Sequence, residues 1–213
     1  PEMKDNEVLV KQLACNICTA DYTQWLGQRE HNGYPVSGGH EGSGVIVAKG
    51  ENVRDLEVGD FVALANNYCG VCDECRHGNE SQCKVRASYD LHANGYKGRM
   101  GFANYFVRPQ TTVVKMNKDL TPSEAAFLEP VATVVKGMDK LRIKQFENVV
   151  VIGAGTMGMV NALVARAYGA NVIISEMMEN KIKTARDLGF EVIDAGKEDA
   201  VQKVMDLTGG KGA

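Results

Sequence analysis

The sequence predicts an α/β protein in two parts, a β-rich and turn-punctuated first half followed by the beginning of a doubly wound parallel sheet. Three observations predict it. Residues 36–64 set Gly38, Gly39, Gly42, Gly44, Gly50 and Gly59 among the short runs Val45-Ile-Val47 and Phe61-Val-Ala-Leu64, the pattern of short strands joined by turns. From Asn148 onward, apolar runs alternate with helix-like stretches, the period of consecutive βα units. Within the first half, Cys69, Cys72, Cys75 and Cys83 are separated by two, two and seven residues, which marks a small lobe of its own. A chain of 213 residues, 44% apolar and 24% charged, can bury the cores of such an arrangement.

In order along the chain, Val8 and Val10 begin an alternation that leads to Cys18 and predicts a strand over 7–18 ending at a site. After the glycine-rich stretch, Tyr105-Phe-Val107 and Thr112-Val-Val114 add further strands. Thr121-Pro-Ser-Glu124 is a helix start: Thr121 caps, Pro122 suits the first helical position and Glu124 closes a capping box. That helix runs to about Leu128; Pro130 reads as a breaker, and a second helix covers Val131–Leu141. The domain boundary falls near 144–147, giving domains 1–147 (with the cysteine lobe at 66–86) and 148–213. Val149-Val-Val-Ile152 is fully apolar, as a central parallel strand should be. A helix over 156–168, a strand at Val172-Ile-Ile174, a helix over 180–188, a strand at Glu191-Val-Ile193 and a helix from Asp199 to Leu207 follow. The chain stops at Gly209-Gly-Lys-Gly-Ala213, where another strand is expected, so the sequence reads as a fragment.

The two-residue gaps in the cysteine lobe let neighbouring thiolates converge on one tetrahedral ion. Four thiolates leave no open position, which predicts structural zinc at Cys69, Cys72, Cys75 and Cys83. A disulfide scaffold is the competing reading, but this chain is too long and too apolar to need such staples. Metal-type cysteine spacing and the absence of a basic-then-apolar leader in Pro1–Glu7 predict a reducing, cytoplasmic setting. A net charge of −3 gives no general attraction to nucleic acid or anionic membrane, and no apolar run approaches the roughly 20 residues of a membrane span.

Gly153-Ala-Gly155-Thr156-Met157-Gly158 fits G-x-G-x-x-G. It follows an apolar strand and opens a helix, the context that gives the motif its meaning. Gly153 permits the turn, Gly155 lets the backbone approach a pyrophosphate, and Gly158 lets the helix pack on the strand. Glu176 lies 18 residues after Gly158, at the end of the second strand. A carboxylate there accepts both ribose hydroxyls and repels a 2′-phosphate, and Ser175 and Met177 beside it add no cation, so NAD is expected over NADP. Lys181 is placed in the same cofactor site. S-adenosylmethionine on the same fold is the alternative, and it leaves the metal ligands unexplained.

Cys18, the pair His40-Glu41, and Glu129 are candidate ligands outside the lobe; a catalytic zinc needs about three protein ligands and one open position. Asp21, three residues after Cys18, can accept the second ring N–H of His40 and fix its tautomer. Taken singly, His40 reads better as a satisfied surface or core histidine, and Glu129 as a helix-terminal surface charge. Cys15 reads as a small buried apolar residue, and Cys15-Asn-Ile-Cys18 lacks the helix start of a redox pair.

Gly39-His40-Glu41-Gly-Ser-Gly44 through Gly50, Val53 and Gly59-Asp60-Phe-Val62, together with Cys15–Asp21, the cysteine lobe and Leu128-Glu129-Pro130-Val131, resembles the zinc-dependent medium-chain dehydrogenases across essentially the whole chain. The resemblance implies a GroES-like catalytic domain followed by a partial Rossmann domain. It implies catalytic zinc on Cys18 and His40, with Glu41 and Glu129 each either a ligand or just beside the metal. It also implies truncation at both ends and a homodimer or homotetramer when full length. Glu129, where alcohol-type relatives often have cysteine, points to the polyol and butanediol branch. The chain departs from the family at Thr19-Ala20, at Thr23 and at Lys136, where relay hydroxyl and histidine residues usually stand. Thr19, Glu41 or Glu129 through water are the substitutes for that proton route, and Lys136 is left to contact cofactor or substrate. The implied activity is NAD-dependent oxidation of a polyol, sugar alcohol or diol. Alternatives are a threonine- or hexitol-phosphate-type zinc dehydrogenase and a catalytically silent zinc and nucleotide sensor.

Overall fold

The computed structural model describes residues 2–29, 33–66, 68–85 and 97–213; Asn67 and Arg86, inside the span expected for the cysteine lobe, lie outside the described residues. The residues group into two compact units, Pro1–Glu129 and Pro130–Ala213.

The first unit contains β1 (Glu7–Asn16), α1 (Thr19–Trp25), β2 (Val36–Ser37), β3 (Glu41–Lys49), β4 (Phe61–Leu64), α2 (Asp73–Arg76), β5 (Lys97–Gly98), β6 (Tyr105–Pro109), β7 (Val113–Lys115) and α3 (Pro122–Ala126). Five strands form an antiparallel sheet in the order β6-β1-β3-β4-β7. The alternation at Val8 and Val10 puts both side chains on its core face with Ile46, Val62, Leu64, Phe106 and Val113. Val8, Val10, Ile46 and Val62 are fully buried, and each such burial stabilises by roughly 1.5–3 kcal/mol. The strand expected over 7–18 ends at Asn16, because Cys18 is already the residue that precedes α1.

α3 starts as its sequence dictates. Thr121 Oγ1 accepts from the Glu124 N–H at 3.3 Å, and the Glu124 carboxylate accepts from the Thr121 N–H at 2.8 Å. Pro130 does not delay the next helix. α4 runs Leu128–Leu141 with Pro130 in its first turn, where a backbone N–H would have no helical partner, so a proline there forfeits nothing.

α4 spans the division between the units. The division falls at Glu129/Pro130 rather than near 144–147, a stretch that lies in the loop after α4 inside the second unit; within that unit Asp139 of α4 accepts a 2.7 Å hydrogen bond from the Tyr168 hydroxyl. That unit continues with β8 (Asn148–Ile152), α5 (Thr156–Ala167), β9 (Asn171–Glu176), α6 (Glu179–Asp187), β10 (Glu191–Asp194) and α7 (Ala200–Leu207). Its parallel sheet has the order β10-β9-β8. Val151, Ala162, Ile174, Ile182, Ala185, Phe190 and Val192 pack into its core, so the helices cover the sheet as apolar parallel strands require.

Candidate metal centres and nucleotide turn

Antiparallel register assembles the first centre. β1 and β3 pair with Cys15 opposite Gly42 and Asn16 opposite Glu41. The chain leaving β1 at Cys18 therefore emerges beside the chain entering β3 at His40. Cys18, His40 and Glu41 each bring a ligand atom within 4.8 Å of the others.

Asp21 holds this arrangement from behind. One carboxylate oxygen accepts the Cys18 N–H at 3.0 Å, which closes the first turn of α1. The other accepts the Gly39 N–H at 2.9 Å and lies 3.7 Å from His40 Nδ1. Nδ1 thus faces Asp21, which leaves Nε2 as the nitrogen turned to an ion. Burial works against the Asp21 carboxylate, but the neighbouring His40 ring and hydrogen bonds from the Gly39 and Cys18 N–H groups outweigh it and hold its pKa below the ordinary range. The same Asp21 contact raises the pKa of His40 against the effect of burial.

Glu41 is only 6% exposed. Burial raises its pKa, and burial, with Glu41 and Asp21 nearby, raises that of the Cys18 thiol. A buried carboxylate and a thiol that share a site resist ionising together unless a cation joins them. One soft sulfur, one imidazole and one carboxylate form a donor set that suits zinc, so these residues fit the ion. Glu129 stands outside this three-residue set. Its charge is felt at both His40 and Glu41, while one of its oxygens lies 3.5 Å from Asn66 Nδ2.

The second set is Cys69, Cys72, Cys75 and Cys83, all within 4.8 Å in their sulfur positions. Three of the S–S separations are 3.5, 3.9 and 4.0 Å. Zinc–sulfur bonds of about 2.3 Å at tetrahedral angles place sulfurs roughly 3.8 Å apart, so this array fits zinc. Disulfide bonding needs about 2.05 Å, and all six cysteines of the chain are free thiols. Backbone N–H groups of Cys69, Val71 and Cys72 point at sulfurs of the set. The acidities diverge: backbone hydrogen bonds lower Cys72 to about 6, while desolvation first, then its sulfur neighbours, push Cys75 up to about 12. Four close sulfurs do not ionise together without a cation. Cys15, by contrast, is raised to about 11, by burial first and then by Asp21, in keeping with an inert packed thiol.

In the second unit, Gly153 takes φ 90° between β8 and α5, a region that disfavours any residue with a Cβ. A Cβ on Gly158 would collide with the Gly153 carbonyl oxygen, so only glycine lets α5 start this close to the turn. Gly155 caps α5 with no side-chain hydrogen bond, and a Cβ there would meet open space. The first-turn N–H groups, from Thr156 onward, are thus presented at a helix N-terminus, the usual place for a phosphate. Met157 is half exposed in the same turn. Glu176, at the end of β9, accepts N–H bonds from Ala154 at 2.8 Å, Met177 at 2.7 Å and Met178 at 2.9 Å. These bonds, led by that from Met178 and aided by the charge of Lys181, keep its carboxyl pKa low. The structure thereby joins Glu176 to the glycine turn, which spacing alone could only propose.

A profile of the alcohol dehydrogenase GroES-like domain matches residues 4–118. The chain belongs to the zinc-type alcohol dehydrogenases of the medium-chain dehydrogenase/reductase family. The chain is 34% identical over 224 residues to the L-threonine 3-dehydrogenase of Thermococcus kodakarensis, a match that covers 100% of this chain and 61% of that protein. It also resembles crystal structures of Escherichia coli galactitol-1-phosphate dehydrogenase (TM-score 0.82, 32% identity, 98% of this chain and 60% of that one) and of a zinc-binding dehydrogenase from Sinorhizobium meliloti bound to NADP (TM-score 0.80, 32% identity, 95% and 58%). The GroES-like sheet and the Rossmann-type parallel sheet expected from the sequence are thus the family's fold. The chain spans about six-tenths of the length of the curated relatives it matches. Among the described residues, no helix is long and apolar enough to cross a membrane.

Proposed function

We propose that the intact protein is a zinc-dependent oxidoreductase that moves a hydride between NAD and a secondary alcohol of the polyol, sugar-alcohol or diol type. The convergence of Cys18, His40 and Glu41 carries this reading. Two zinc ions per chain are assigned: one closed in by Cys69, Cys72, Cys75 and Cys83, the other held by Cys18, His40 and Glu41 with a fourth position for an oxygen. When bound there, zinc supplies the Lewis acidity that brings an oxygen ligand's pKa toward neutrality, and NAD supplies the hydride acceptor.

The chain's own residues do the rest. Asp21 fixes the His40 ring and the Cys18 backbone together, so the donors keep their alignment through a turnover. Ala20 carries no hydroxyl, and the Thr23 hydroxyl donates to the Ala20 carbonyl at 3.1 Å. Neither supports a relay, so the alcohol proton is assigned to Glu129, the half-buried carboxylate beside the ligand set. Glu176 supports NAD, because a carboxylate already anchored to the glycine turn would repel a 2′-phosphate, and the exposed Met177 and Met178 offer it no cation.

The test is a dehydrogenase screen of the intact protein with zinc analysis of the same sample. Diols, polyols, their phosphates and amino alcohols are the panel, since relatives carry the names of threonine and galactitol 1-phosphate dehydrogenases. Reduction of NAD by one class, with two zincs per chain, is the expected result. Two zincs and bound nucleotide with no turnover on any of them would favour a silent sensor.

A further inference from the structure

A short strap organises both flanks of the first metal centre. β2 and β5 pair in parallel, with Ser37 opposite Gly98. Past β5, the Arg99 N–H donates to the Ser37 carbonyl at 2.9 Å, and the Gly101 N–H donates to the Gly38 carbonyl at 3.0 Å. These bonds hold the segment that delivers Gly39 to Asp21 and His40 to the ligand set. On the other flank, Arg99 Nη1 donates to Asn66 Oδ1 at 2.8 Å, and Asn66 Nδ2 faces Glu129 Oε1 at 3.5 Å. The buried guanidinium of Arg108 donates to the Arg99 carbonyl, which pins the strap from inside the sheet.

The chain Arg99–Asn66–Glu129 is directional. Arg99 has only donors, so it fixes the Asn66 amide with its oxygen toward Arg99 and its NH₂ toward Glu129. The carboxylate is drawn toward Asn66, while Cys18, His40 and Glu41 close on one another without it. A fourth protein ligand would close the open position that a catalytic ion requires.

We propose that Arg99 and Asn66 are positioning residues that hold the Glu129 carboxylate beside the Cys18–His40–Glu41 centre and short of the ion, which keeps the fourth coordination position open. This rests on the metal reading given above. The strap thereby sets the ligand and the neighbouring carboxylate from one segment.

The experiment exchanges cobalt for zinc at the Cys18 centre of the intact protein, with zinc left in the four-cysteine lobe, and records the visible d–d bands. Asn66→Ala and Arg99→Met are expected to shift the bands as Glu129 enters the coordination sphere, while Arg99→Lys keeps most of the wild-type spectrum. In a Glu129→Gln background, Asn66→Ala is expected to add no further shift. A wild-type spectrum in Asn66→Ala, or a shift that persists in the Glu129→Gln background, overturns the positioning role. Absence of any Cys18-dependent cobalt signal in the wild type is a separate result, one that overturns the metal reading and the positioning with it.

Discussion

The cysteine lobe draws its four ligands from fifteen consecutive residues, whereas Cys18 and His40 lie 22 positions apart and meet only because β1 and β3 pair in one register. The surroundings differ as much. Among the described residues of the lobe, Cys83 alone is a buried apolar side chain, and Val71 and Val85 are exposed. Regular structure among those described residues is the four-residue α2 and one short 3₁₀ turn at Glu80–Gln82. The Cys18 centre instead rests on a five-stranded sheet whose core valines and isoleucine are fully buried. On the proposed assignment, an ion holds the lobe together, while the sheet holds the other site ready for one. This division of labour follows from where the buried apolar area lies, before any chemistry is considered.

The largest effect is expected from breaking the lobe. Structural zinc supplies about 10–16 kcal/mol of binding free energy in small zinc-folded peptides, and the lobe has little else to replace it. Cys75→Ala should leave one zinc per chain and open residues 68–85 to proteolysis, with the Cys18 centre still occupied in the protein that folds. Loss of both metals from a folded variant would show that the two sites are not independent. His40→Ala should do the reverse: the lobe keeps its zinc, the melting temperature changes little, and turnover falls to background. Collapse of the fold in His40→Ala would mean that the ion, and not the sheet, builds that site too.

The same contrast explains what the sequence made legible. A local site is written as spacing, so Cys69, Cys72, Cys75 and Cys83 could be read directly. The glycine turn is equally local: Gly153 takes the positive φ of the turn and Gly158 makes the close approach expected of it. The Thr121–Glu124 capping box was legible for the same reason. Long-range placement was legible only through the family resemblance, which joined Cys18 to His40 and Glu41; the residues alone did not give it. Nothing in Cys18 marks it as the residue before a helix, since cysteine is no strong cap and Ile17 beside it is apolar yet exposed; the strand was therefore read two residues too far. Pro130 was read by its usual effect, when its position in the first turn was what mattered. The pull of Asn66 on Glu129 depends on side chains 63 residues apart, and only Arg99, unremarkable in sequence, signals it.

A smaller effect, confined to the sheet-built centre, is expected of Asp21→Asn. The amide keeps the volume and loses the charge that joins Cys18, Gly39 and His40. Loss of such a partner behind a ligating histidine typically costs 10–100-fold in metal affinity. Zinc competition titrations should show that loss at one site and leave the lobe unchanged. Acid unfolding supplies an independent check. The pKa of Asp21 is lowered in the folded protein, so its contribution is complete above the unfolded value near 3.9 and is lost as pH falls below that through the folded value. Asp21→Asn should flatten the stability curve in that acidic window. An equal loss of affinity at both zinc sites, or an unaltered acid limb, would remove Asp21 from its supporting role.

The smallest expected change tests a site organised by neither an ion nor strand register. At the nucleotide turn, three backbone N–H groups converge on the Glu176 carboxylate, so one side chain orders the loop and, on the proposed reading, also presents a negative charge to the ribose. Each hydrogen bond to such a charged group contributes on the order of 1.5–3 kcal/mol when shielded from water, and less at this solvent-exposed position. Glu176→Ala should lower the melting temperature slightly, weaken NAD and narrow the preference for NAD over NADP. Isothermal titration with the two nucleotides separates these effects. Weaker binding of both nucleotides in the same ratio would mean that Glu176 only braces the turn and that discrimination resides elsewhere. A selective gain for NADP would place its charge at the ribose.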